Sequence, residues 1–109
     1  MKLDDYQNGT LETWSGEDKV MRSILGVSGE AGEVAECVKK HLRGDYGEDV
    51  YHDKIKKELG DLLYYVAVCS REHGFNLSEV AQANYDKLQK RKAMNLINGS
   101  GSDREENDE

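Results

Sequence analysis

The 109-residue chain contains no proline, one phenylalanine, one tryptophan and two cysteines. Without proline, no helix is interrupted by a missing backbone donor. Runs of β-branched residues are few, which argues against a sheet. No apolar stretch approaches the 18 or more residues of a membrane span, and no signal peptide opens the chain. A membrane partner is therefore excluded, and a cytoplasmic protein is expected. Cys37 and Cys69 lack metal-ligand or disulfide spacing and sit among apolar neighbours, as small core residues do in a reducing compartment.

Charge excludes a further class. The net charge is −7, but residues 103–109 hold five acids and one arginine, which leaves the rest near −3. A mildly acidic body is a poor match for a nucleic-acid polymer.

What remains is helical, and its size fits one domain. A first helix is expected from Leu3 to Trp14, ending near Ser15-Gly16. A second runs from about Asp18 to Arg43, with Val20, Ile24, Val27, Ala31, Val34, Val38 and Leu42 as its apolar stripe. After the turn residues Gly44 to Gly47, a third extends from Glu48 or Asp49 to about His73. Ile55, Leu59, Leu62, Val66 and Cys69 repeat the spacing there. Gly74 suits a left-handed C-terminal cap, and Asn76 or Ser78 suits the N-cap of a fourth helix. That helix carries Leu77, Ala81, Tyr85 and Leu88 and ends in the basic run Lys87 to Lys92, which complements its dipole. The expected division is a helical domain over 1–97 and a Gly/Ser/acidic tail over 98–109.

Two short stretches depart from good helix. "EAGE" at 30–33 and "ELGD" at 58–61 each put a glycine between two acids, at about 1 kcal/mol relative to alanine. At 100° per residue, Glu30 and Glu33 lie about 60° and 120° to one side of the second stripe. Glu58 and Asp61 lie at matching angles on the third, 28 residues on. If the helices pack as antiparallel neighbours, these flanks converge beside the core. Four carboxylates together repel strongly unless a cation joins them, and oxygen-only ligands select Mg²⁺, Mn²⁺ or Ca²⁺ over zinc. Gly32 and Gly60 would then leave room for a bulky ligand or a close neighbouring helix. His41, His52 and His73 show no ligand spacing.

"GEAGEVAE" followed by "KELGDLLYYV" resembles the MazG-like all-α nucleoside triphosphate pyrophosphohydrolases, related to dimeric dUTPases and dCTP pyrophosphatases. Their pattern is E-E-x-x-E, a variable connection, then E-x-x-D. Glu30, Glu33, Glu58 and Asp61 match it, while Gly29 stands in place of the first Glu. The resemblance implies Mg²⁺-dependent hydrolysis of a (deoxy)nucleoside triphosphate to the monophosphate and pyrophosphate, with Mn²⁺ as a substitute. The four acids would hold metal, and Glu30 or Glu33 would orient or deprotonate the attacking water. "ANYDKLQKRK" resembles the family's N-x-x-K-L-x-x-R segment, which implies phosphate contacts for Asn84, Lys87 and Arg91. Tyr65 resembles an aromatic that lines the nucleotide pocket of relatives, and Trp14 and Tyr6 are further candidates for the base. Lys39 and Lys40 are weaker phosphate candidates. "NGSGSDREE" resembles an ending of short phage-type members, in which Gly99, Gly101 and Arg104 would meet a phosphate.

The fold expected is an all-α, four-helix-type bundle assembling as a dimer or a tetramer, a dimer of dimers. A single copy has a thin core, and Leu25, Leu63, Ala67 and Val68 lie off the main stripes, which implies a second buried face. Two rival functions stand beside the enzyme: a helical interaction module whose acids are merely solvated, and a catalytically silent relative that binds metal and nucleotide. Among enzymes, a phosphoribosyl-ATP pyrophosphatase shares the acid motif.

Overall fold

A computed structural model describes residues 1–98 of the chain. Among these residues there are helices and no strands: α1 (Leu3–Gly9), a 3-10 turn (Thr10–Glu12), α2 (Lys19–Leu42), α3 (Glu48–Glu72) and α4 (Leu77–Asn98). The expected all-α class and its four helices are observed. The first helix is shorter than the expected span from Leu3 to Trp14. It tightens into the 3-10 turn, where Thr10 Oγ1 donates to the carbonyl of Gln7 at 2.6 Å. The fourth runs past the basic segment, since the Ala93-Met94-Asn95-Leu96 stretch contains no breaker.

The chain forms two units, Met1–Leu77 and a second that begins at Ser78. In the first, α2 and α3 run antiparallel from the turn at 43–47. The turn is stitched by the Tyr46 hydroxyl, which donates to the carbonyl of Cys37 at 2.7 Å. His41 stacks on Tyr51 with ring centroids 4.1 Å apart, which keeps the two helices side by side from their connected ends. At the other end of α3, Gly74 adopts φ +84°. Its N–H donates to the carbonyl of Arg71 at 2.8 Å, the left-handed stop expected there.

The core is small and lies where α1 and the 3-10 turn cover the last turns of α3. Trp14, Ala67, Val68 and Leu77 are its buried apolar side chains. Ala67 and Val68 are completely covered within the one chain, so they need no second copy, contrary to the expectation for that pair. The α2 and α3 stripes are only half covered. Val27, Val34, Ile55 and Val66 are half-buried, while Val20, Ile24, Leu42 and Leu59 are exposed. A pair of long helices with one short cap offers too little surface to cover both stripes. In the second unit α4 exposes Val80, Tyr85 and Leu88.

Candidate metal centre

α2 carries Glu30 and Glu33, and α3 carries Glu58 and Asp61. Antiparallel packing brings carboxylate oxygens of Glu30, Glu58 and Asp61 within 4.8 Å of one another. Glu33 does not join this group. It stands about 4.5 Å further along the α2 axis and turned about 60° further from the apolar stripe, and it lines an adjoining groove with Glu58. The convergence read from helical angles is thus a triad with a fourth acid beside it.

The triad's electrostatics ask for a cation. The ion pairs His41–Glu48, Arg43–Asp45 and Lys57–Asp53 use none of the four acids. Loss of solvent raises the proton affinity of Glu30 above the ordinary carboxylate range, and the charges of Asp61, Glu58 and Glu33 raise it further. Three clustered oxygen donors that repel one another fit a hard divalent ion such as Mg²⁺ or Mn²⁺.

Of the two uses expected for Gly32 and Gly60, open space for a bulky ligand agrees with the structure better than a close neighbouring helix does. A Cβ added at Gly29, Gly32 or Gly60 would meet nothing within 4 Å, so among the described residues no neighbouring helix uses the space at these glycines. The glycine in close contact is Gly26, one turn before Glu30, where an added Cβ would fall 2.1 Å from Cδ1 of Tyr65. Sequence reasoning passed over Gly26 because it is not flanked by acids. The available signal was its spacing, one turn outside the α2 acids as Tyr65 is one turn outside the α3 acids.

Residues 20–94 match the model of the MazG nucleotide pyrophosphohydrolase domain. The chain belongs to this family. Gene 37 protein of Mycobacterium phage L5 is 44% identical over 82 residues, which span 73% of this chain and 72% of that protein. No solved structure matches the chain.

The MazG match begins after Trp14 and takes in all four acids. Trp14 itself is buried. Its indole N–H donates to Glu72 Oε2 at 3.1 Å, and the Arg22 guanidinium lies 4.5 Å from its ring centroid. Tyr65 is half-buried, edge-on to Trp14 at 6.1 Å and to Tyr64 at 5.2 Å. Tyr6 on α1 has its phenol proton held above the usual range by burial and by the nearby charges of Tyr64 and Asp61, which puts an α1 side chain within the field of the acids. The MazG acids are thus flanked on one side by an aromatic cluster.

On the other side lies a groove of about 470 Å³, lined by Glu33, Cys37, Lys40, Tyr46 and Lys54 among others. Lys40 therefore faces the space beside the acids, whereas Lys39 is an exposed residue of the last α2 turn outside that lining. Asn84, Lys87 and Arg91 lie on α4 in the second unit, the first two exposed and Arg91 half-buried. Gly99, Gly101 and Arg104 lie outside the described residues.

Proposed function

We propose that this MazG-family protein hydrolyses a (deoxy)nucleoside triphosphate to the monophosphate and pyrophosphate with Mg²⁺, Mn²⁺ being a substitute. The observation that carries the reading is the Glu30–Glu58–Asp61 triad, three carboxylates within 4.8 Å of one another inside the stretch that matches the family. These three would hold the metal, which when bound offsets the triphosphate charge and stabilises the departing pyrophosphate.

The chain's own residues do the rest. Glu33 stands outside the triad, which makes it the better base of the two α2 acids. Its carboxylate takes the proton from the attacking water as the α–β phosphoanhydride bond breaks. Glu30, with its raised proton affinity, is the ligand most dependent on the cation. Tyr65 lies toward the base, with Trp14 behind it as the side chain that holds its edge. Lys40 in the groove and Lys39 are the phosphate contacts of α2, and the resemblance to the family implies phosphate contacts for Asn84, Lys87 and Arg91.

Homo-oligomerisation, as a dimer or tetramer in the cytoplasm, belongs to the same reading. Met21, Ile24 and Leu25 on α2 and Leu59 and Leu63 on α3 are large apolar side chains left exposed in one copy, as a surface awaiting a partner chain would be.

The test is product analysis on a panel of ribo- and deoxynucleoside triphosphates with and without Mg²⁺, resolving pyrophosphate from phosphate. Metal-dependent pyrophosphate with equimolar monophosphate is expected. Orthophosphate as the sole inorganic product, or no release from any nucleotide by folded protein, overturns the reading.

A further inference from the structure

We propose that Gly26 is a positioning residue for the metal centre: by admitting the Tyr65 ring against bare α2 backbone, it sets the helix separation that brings Glu30 to Glu58 and Asp61. The proposal rests on the reading of the triad as a metal site. Its physical content is the contact itself.

A Cβ built on Gly26 falls 2.1, 2.3 and 2.6 Å from Cδ1, Cε1 and Cγ of Tyr65. Ordinary van der Waals contact for such an atom begins at 3.4 Å, so any side chain here requires a displacement of more than an ångström. Because Cγ is among the colliding atoms, turning the far edge of the ring does not clear the clash. The ring has little room to leave. Trp14 and Tyr64 both meet it edge-on, and Trp14 is itself held by Glu72 and Arg22. The remaining relief is separation of α2 from α3, whose spacing depends on the side chains at their contact.

That contact sits one turn from the acids on both helices, with Gly26 before Glu30 and Tyr65 after Asp61. A hard divalent ion binds oxygen within about 2.0–2.6 Å. Carboxylate oxygens within 4.8 Å of one another can share such an ion, and an additional ångström between their helices works against it. Gly29, Gly32 and Gly60 have open space at the Cβ position and exert no such control.

The experiment measures Mn²⁺ binding by electron paramagnetic resonance for the wild-type chain, Gly26→Ala, Tyr65→Ala and the double variant. Gly26→Ala is expected to bind at least about tenfold more weakly, comparable with loss of a residue that orients a metal ligand. The double variant is expected to stay within about threefold of Tyr65→Ala, because the colliding ring is gone. Wild-type affinity in a folded Gly26→Ala variant overturns the proposal. So does a double variant tenfold weaker than Tyr65→Ala, a comparison that stands even if Gly26→Ala alone fails to fold. If the wild-type chain binds no Mn²⁺, the metal reading falls, and crystal structures of Gly26→Ala and the double variant against wild type decide the positioning claim. Widening of the Glu30–Asp61 gap by Gly26→Ala, relieved when Tyr65 is also removed, supports it; an unchanged gap in Gly26→Ala overturns it.

Discussion

The side-chain amide of Gln7 accepts the backbone N–H of Leu77 at 2.9 Å, joining α1 to the first residue of α4. The same amide donates to the carbonyls of Ala67 and Phe75, both at 3.0 Å, and only 3% of Gln7 is exposed. Arg71 closes the arrangement by donating to Thr10 Oγ1 at 3.0 Å and to the Gln7 carbonyl. One buried polar side chain therefore ties three segments of the first unit. Gln7→Leu removes its donors and acceptor without a substitute and strands the Leu77 N–H. The expected loss is about 1–3 kcal/mol of stability, read as a lower denaturation midpoint in urea, with helix content retained below the transition.

The triad makes a sharper prediction about chemistry than about stability. Glu58→Gln and Asp61→Asn each remove one charge from a cluster of three mutually repelling carboxylates. Turnover should fall by more than the roughly 10–100-fold that loss of a ligand's outer partner costs, while the metal-free protein melts no lower than wild type. Unchanged pyrophosphate release in both variants would remove the triad from the mechanism.

Proton linkage follows from Glu30. Its folded-state proton affinity is raised, first by lost solvation and then by Asp61, Glu58 and Glu33. The folded chain thus holds this proton to higher pH than the unfolded chain does. That contribution to stability is complete below the ordinary carboxylate range and is lost as pH rises through the Glu30 value. In chelator, urea midpoints should decline across that window, and Glu30→Gln should flatten the decline. Adding Mg²⁺ should offset it, with proton release measurable by calorimetry in buffers of different ionisation enthalpy.

Assembly is open to a direct test. Leu25 is 66% exposed and Leu63 40% exposed in one copy. Leu25→Glu and Leu63→Glu place charge on the proposed covered face, where a buried unpaired carboxylate costs several kcal/mol. Sedimentation equilibrium should move from dimer or tetramer toward monomer in both. A wild-type chain that sediments as a monomer at micromolar concentration would contradict the assembly directly.

The helices were legible because their signals are local. The apolar spacing from Val20 to Leu42 and from Ile55 to Cys69 needs no partner to be read, and neither does Gly74 at a helix end. The same angular reasoning put Glu30, Glu58 and Asp61 on facing flanks, and the three do meet. Glu33 shows the limit of that reasoning. Angle about an axis says which side a residue faces, but not which residue on an antiparallel neighbour it stands level with. The first helix was overextended for a related reason, since the Thr10–Gln7 bond that tightens its last turn competes locally with the α-helical pattern.

By itself, the sequence determined the helical class, the boundaries of the two long helices and the flank on which the acids lie, all consequences of backbone periodicity and turn chemistry. Only the tertiary structure decided that Glu33 stands beside the triad, that Trp14 is enclosed by Glu72 and Arg22, and that Ala67 and Val68 are covered within the one chain. It also decided which glycine matters. The register of two helices is set where one side chain fits the other's backbone, and here that place is the Tyr65 ring on Gly26. Such a fit depends on two residues far apart in the chain, and no local pattern records it.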